Sequence, residues 1–276
     1  NTNPSNMSGF KAKSKSYNSI TLQWNKNTSA TGYELQKWNG KKWVALAKIT
    51  KNSTTTYTVK SLKASTTYKY RIRAYKTIGK ATQYSGYKEL SVNTNPSNMS
   101  GFKAKSKSYN SITLQWNKNT SATGYELQKW NGKKWVALTK ITKNSTTTYT
   151  VKSLKASSTY KYRIRAYKTI GKATQYSRYK ELSVNTNPSN MSGFKAKSTA
   201  KTSVTLQWKK NTSATGYEIQ KWNGKKWVSA AKVTRNSTVT STVKNLKKNT
   251  SYKFRIRAYK TIGKATQYSS WSGTLT

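Results

Sequence analysis

The octet Tyr68-Lys69-Tyr70-Arg71-Ile72-Arg73-Ala74-Tyr75 sets apolar side chains and long cations at alternate positions. A period of two means a β-strand with one buried face, so Tyr68, Tyr70, Ile72 and Ala74 point inward while Lys69, Arg71 and Arg73 point outward. The octet returns unchanged from Tyr160 and, with Phe254 in place of one tyrosine, from Tyr252. The spacing is 92 residues, one third of the 276 in the chain. A fixed internal period overrides a domain count read from length. Three units follow, at 1–92, 93–184 and 185–276. Units one and two differ only at Ala47/Thr139, Thr66/Ser158 and Gly86/Arg178. The third departs further, with Ser198-Thr199-Ala200-Lys201-Thr202 where the first has Ser14-Lys15-Ser16-Tyr17-Asn18, as expected of a cap on a longer array.

The same alternation recurs before the octet: Ile20, Leu22 and Trp24 alternate with Thr21 and Gln23, and the pairs Tyr33/Leu35 and Tyr57/Val59 mark two further strands. Asn39-Gly40 signals a hairpin, since both residues tolerate positive φ. Loops are expected at 25–30, 50–54, 63–67 and 76–83. About seven short strands per unit, joined by polar turns, predict an all-β chain of three β-sandwiches. Strands of about ten residues at about 3.3 Å per residue, with no Gly/Ser linker at the junctions, predict an elongated array.

Composition excludes whole classes of function. There is no His, Cys or Asp, and the only acids are Glu34, Glu89, Glu126, Glu181 and Glu218. The residue types that acid/base, nucleophilic and metal chemistry need are nearly absent, so neither an enzyme, a cofactor nor a metal is expected. Against five acids stand 53 Lys and Arg, a net charge of +48 spread over all three units. Such a field keeps a chain soluble and draws polyanions. Ten Trp, 20 Tyr and four Phe argue for folded β-domains rather than disorder. No apolar run approaches 18 residues, so no membrane span is expected. The chain opens at a repeat boundary, as a mature piece or a fragment would.

The pattern resembles the fibronectin type III domain, three times over the whole chain. The residues that carry the likeness are Pro4 and Met7, the run ending at Trp24, Gly32-Tyr33-Glu34-Leu35, Leu62 six residues before Tyr68, and the Arg-rich octet itself. The resemblance implies seven-stranded immunoglobulin-like sandwiches of the kind appended to secreted and cell-surface proteins of Gram-positive bacteria, where they serve spacing, display or adhesion. It also implies that Trp24, Trp116 and Trp208 fill cores and that Tyr68, Tyr160 and Tyr252 tie a corner loop to its sandwich. The loop that carries Arg-Gly-Asp in integrin-binding members reads Thr77-Ile78-Gly79-Lys80-Ala81-Thr82 here, without an acid.

Two sets of residues are candidates for binding. Lys69, Arg71 and Arg73, with Lys161, Arg163, Arg165, Lys253, Arg255 and Arg257, form one cationic ladder per unit, and in the first unit Lys11, Lys13, Lys41, Lys42, Lys80 and Lys88 add positive charge around it. Like charges on one strand need an intervening group: an aromatic such as Tyr84, Tyr87 or Trp43, a glutamate such as Glu34, or an external anion. Ser269-Ser270-Trp271-Ser272 resembles in part the Trp-Ser element that interleaves with such arginines in cytokine receptors. The second set is Trp38, Trp43, Trp130, Trp135, Trp222 and Trp227 beside the hairpin tips, which either pair across the hairpin or stack on a sugar. The expected function is a non-catalytic extracellular spacer and adhesion array for an anionic polysaccharide, a cell-wall polymer or, without sequence preference, nucleic acid. Alternatives are a stalk or filament that self-assembles through its repeats, and a neutral-glycan module using the tryptophans.

Overall fold

The computed structural model describes residues 2–276. Repeat 1 contains β1 (Lys11–Lys15), β2 (Ile20–Gln23), β3 (Gly32–Trp38), β4 (Trp43–Ile49), β5 (Thr56–Val59), β6 (Thr67–Ile78), β7 (Ala81–Tyr84) and β8 (Lys88–Asn93). Repeat 2 follows with β9 (Lys103–Lys107), β10 (Ile112–Gln115), β11 (Gly124–Trp130), β12 (Trp135–Ile141), β13 (Thr148–Val151), β14 (Thr159–Ile170), β15 (Ala173–Tyr176) and β16 (Lys180–Asn185). Repeat 3 has β17 (Lys195–Ala200), β18 (Ser203–Gln207), β19 (Gly216–Trp222), β20 (Trp227–Val233), β21 (Thr240–Val243), β22 (Phe254–Ile262) and β23 (Ala265–Tyr268). No helix among the described residues is long and apolar enough to cross a membrane.

Each repeat is a two-sheet sandwich. In the first, a three-stranded sheet β1-β2-β5 faces a sheet ordered β4-β3-β6-β7, and β8 pairs with the other half of β6. The seventh strand is thus broken in two, β7 lying along the end of β6 and β8 along its start. The alternation of the octet is realised in space: Tyr70, Ile72 and Ala74 are buried, whereas Arg71 and Arg73 stay on the outer face of the larger sheet. Ile20, Leu22, Trp24, Tyr33, Leu35 and Leu62 complete the core. Trp24 meets Tyr33 edge to face at 5.4 Å, an arrangement that adds about 0.5–1.5 kcal/mol beyond burial. The Tyr33 hydroxyl accepts from the Asn27 amide and donates to Asn52 O, tying two loops together. Tyr68 does the same for its corner, its hydroxyl accepting from the Lys63 amide at 2.8 Å.

Three local expectations are corrected. The segment 76–83 is not a loop, because Ile78 pairs with Ala81 around a two-residue Gly79-Lys80 turn. Gly79 at φ 60° supplies the positive first position that turns of this kind require. Asn39-Gly40 does lie in a hairpin, yet the tip has four residues, with Trp38 paired to Trp43. Only Gly40 takes positive φ there, while the Asn39 side chain accepts from the amides of Lys41 and Lys42. Lys11 and Lys13, expected near the cationic ladder, belong to the opposite sheet.

The seam between repeats is offset from the arithmetic one. β8 crosses Val92 to end at Asn93, and Thr94, fully buried, bonds back into repeat 1. Its amide donates to Thr66 O, its Oγ1 donates to Lys63 O at 2.7 Å and accepts from the Thr66 amide at 3.0 Å. Asn95 bridges the two edges of the same end, donating to Ser16 O and accepting from the Ser65 amide. Thr186 and Asn187 repeat these bonds for repeat 2. Across the first junction Ser65 Oγ donates to Ser121 O, and across the second Ser157 Oγ donates to Ser213 O. Adjacent repeats are therefore in direct contact.

Candidate binding face

The outer face of the larger sheet collects what strand register delivers to it. Antiparallel pairing sets Glu34 opposite Arg73 and Gln36 opposite Arg71. Directly opposed side chains in a sheet are near neighbours, and both pairs bond. Arg73 Nε and one terminal nitrogen donate to Glu34 Oε2 at 2.9 and 2.7 Å, and Arg71 Nε donates to Gln36 Oε1 at 2.8 Å. Repeats 2 and 3 repeat the ion pair as Arg165–Glu126 and Arg257–Glu218, with Lys232 at 3.9 Å from Glu218. These glutamates are about four-fifths covered, which strengthens a pair relative to one in open water.

The faces of the guanidinium planes are covered as well. Arg71 lies 4.6 Å from the Trp43 ring and 3.9 Å from Tyr87; Arg73 lies 3.7 Å from Tyr84 and 4.8 Å from the same Tyr87. Trp38 packs edge to face on Trp43 at 5.5 Å. The result is one continuous column, Trp38-Trp43-Arg71-Tyr87-Arg73-Tyr84, drawn from four strands and the break in the seventh. Repeat 2 builds it from Trp130, Trp135, Arg163, Tyr179, Arg165 and Tyr176. In repeat 3, Trp271 takes the shared place between Arg255 and Arg257. Burial, and after it the charge of Arg257, lower the pKa of Arg255 from the usual guanidinium range. At about 0.5–2 kcal/mol per contact, cation–π stacking offsets the repulsion of two adjacent arginines.

The structure therefore divides the cationic set. Arg71, Arg73, Arg163, Arg165, Arg255 and Arg257 are held within the protein, whereas Lys69, Lys161, Lys253, Lys41 and Lys42 are exposed. Lys80, in the turn that joins β6 to β7, and Lys88, at the start of β8, are exposed as well. Sequence reasoning named the aromatics and Glu34 but missed Gln36, Gln128 and Gln220, which only the register reveals.

None of the six hairpin tryptophans is freely exposed. Trp43, Trp135 and Trp227 are consumed by the column, while Trp38, Trp130 and Trp222 form its outer end. Beside Trp130, a shallow cleft of about 540 Å³ is lined by Lys129, Val136, Tyr160 and Lys161.

A family model described as "Fibronectin type III domain" matches residues 3–87, 95–181 and 187–274. Exoglucanase B of Cellulomonas fimi is 25% identical over 290 residues, a match that takes in 98% of this chain and 25% of that protein. The chain thus spans about a quarter of the length of this relative. Among solved structures, the chicken CNTN1 FN1-FN3 domains align with 99% of this chain and 98% of theirs, at 17% identity and a TM-score of 0.36. The segment of two fibronectin type III domains from chicken tenascin aligns with 66% of this chain and 99% of its own, at 17% identity and a TM-score of 0.42. By the family model, which takes in most of its length in three successive copies, this chain belongs to the fibronectin type III family.

Proposed function

We propose that the chain is a non-catalytic extracellular spacer whose exposed lysines adhere to anionic polymers: an acidic glycan, a wall teichoic acid or extracellular DNA. One observation carries this reading. Only four of the 53 cationic side chains lie within ion-pair distance of a carboxylate among the described residues, all four at Glu34, Glu126 or Glu218. Apart from these and the stacked Arg71, Arg163 and Arg255, most of the positive charge belongs to exposed lysines such as Lys69, Lys41 and Lys42, and a polyanion that neutralises them releases counterions. The stacked arginines brace the face from which Lys69, Lys161 and Lys253 project, while Lys41 and Lys42 extend from the hairpin tip. Three linked repeats then multiply weak contacts through effective concentration.

The test is retention on immobilised heparin as a function of salt. Binding through many lysines predicts elution well above about 0.15 M salt and an affinity that falls steeply as salt rises. Release at or below that concentration overturns the proposal. Self-assembly into a filament would strengthen as salt screens repulsion, so sedimentation across the same series separates that alternative. A second reading, neutral-glycan binding at Trp38, Trp130 and Trp222, is favoured by the cleft beside Trp130 and by the likeness to part of an exoglucanase. Replacing all three by Ala should abolish binding to a neutral glycan while leaving heparin retention nearly unchanged.

A further inference from the structure

Where repeats 1 and 2 meet, a cleft of about 360 Å³ opens between them. Lys15, Tyr17 and Asn95 line one side, and Asn98, Tyr176 and Arg178 line the other. The junction is built rather than accidental in its chemistry. Lys15 Nζ donates across it to Gln175 Oε1 at 2.5 Å, and Gln175 is buried. Asn95 Nδ2 donates to Lys15 O at 3.3 Å, and Asn98 Oδ1 accepts from the Arg178 amide at 3.3 Å. No carboxylate lines the cleft, so two cations share it without a counter-charge. Desolvation of the Lys15 ammonium, which lowers its pKa, is consistent with a charge partly removed from water and left unneutralised.

Tyr17 adds a different chemistry. It is one of few large apolar side chains left exposed, at 38%, and it lies on this wall. An exposed aromatic face beside amides and two cations suits a sugar ring that bears a negative group: the ring's C–H face packs on the tyrosine and the cations take the charge. Arg178 is also one of only three positions at which repeats 1 and 2 differ, the first repeat having Gly86 there and the third Ser270. Lys107, Tyr109 and Asn187 recur at the second junction, where Lys107 bonds to Gln267, but Ser270 stands in the place of the arginine.

We propose that the junction of repeats 1 and 2 is a site for one acidic sugar unit of an anionic polysaccharide, with Tyr17 against the ring and Lys15 and Arg178 on its negative group. This rests on the polyanion reading above and adds a place where selectivity resides. The negative group could be a uronate carboxylate or a sulfate, and the probes separate the two.

Calorimetry on the three-repeat protein at about 0.15 M salt, with trigalacturonate, a sulfated trisaccharide and neutral cellotriose, tests the site. At least one acidic probe should bind and cellotriose should not. Arg178→Gly, which installs the residue that repeat 1 tolerates, should weaken that binding about tenfold, the loss expected for one well-placed charged contact. Tyr17→Ala should weaken it comparably, while Lys103→Gln, one charge removed from an exposed strand elsewhere, should change it less than about twofold. Equal effects of Arg178→Gly and Lys103→Gln, equal binding of cellotriose, or no binding of either acidic probe would each overturn the proposal. Heparin retention run in parallel keeps the two ideas distinct. If every variant is retained but the junction variants show no selective loss, the site fails and general adhesion stands; if the unaltered protein is not retained, the broader reading fails first.

Discussion

Thr94→Val tests whether the seam residues belong energetically to the repeat before them. The substitution keeps the shape of a side chain that is 0% exposed and deletes the oxygen that donates to Lys63 O and accepts from the Thr66 amide. Two backbone groups in the corner loop lose their partners, at about 1–1.5 kcal/mol each, so repeat 1 should lose about 2–3 kcal/mol. For a domain of this size 1 kcal/mol shifts the midpoint by about 4–8 °C, giving a fall on the order of 10–20 °C. Differential scanning calorimetry of the whole chain should then show one repeat's share of the enthalpy moving to lower temperature, with the other two repeats nearly in place. Hydrogen exchange at the Thr66 amide should accelerate in step, and Thr94→Ser, which keeps the oxygen, should restore most of the loss. A Val variant that melts within about 2 °C of the parent would mean instead that Thr94 merely lies against repeat 1 and contributes nothing to its closure.

Other outcomes follow from the same contacts. The Tyr70 and Tyr162 hydroxyls are buried without a hydrogen-bond partner, and repeat 3 has Phe254 at that place. Tyr70→Phe should therefore stabilise repeat 1 by about 1 kcal/mol in calorimetry, and a destabilisation would contradict the orphaned hydroxyl. Burial, and after it the neighbouring Tyr68, raise the pKa of Tyr70 far above the ordinary tyrosine value. A phenol whose pKa is raised on folding stabilises fully below the unfolded value near 10 and loses that contribution as pH climbs above it. Repeats 1 and 2 should consequently lose stability above about pH 10 faster than repeat 3, by up to about 1.4 kcal/mol per pH unit for each such tyrosine. Finally, a Cβ added at Gly32 would sit 2.0 Å from Ile49 O and 2.8 Å from the Tyr75 hydroxyl oxygen. Gly32→Ala should cost repeat 1 more than about 3 kcal/mol in urea unfolding, since the obstacle is backbone.

Much of the fold was legible because one face of each strand is buried and a period of two records that directly. Tyr70, Ile72 and Ala74 against Arg71 and Arg73 is the clearest case, and Glu34 was readable as an arginine partner because acids are so scarce. What stayed hidden depends on register or on the join. Gln36 becomes a partner of Arg71 only once β3 and β6 are aligned, since nothing local marks one glutamine over another. The Gly79-Lys80 turn was hidden because polar residues around a glycine read as a loop until the strands on either side are seen to pair. Asn39 failed as a positive-φ turn residue for the opposite reason, its side chain capping two amides in a longer tip. The junction cleft draws Lys15 and Arg178 from positions too far apart for any motif to connect.

The offset seam bears on how such a chain grows. A gain or loss of whole 92-residue periods, wherever in the period it starts, leaves behind each of the first two folded bodies the threonine and asparagine that close it, Thr94 and Asn95 or Thr186 and Asn187. Every inserted copy thus arrives with the stopper for its predecessor already attached, and the number of links between the two existing junctions can rise or fall without leaving any sandwich unsealed.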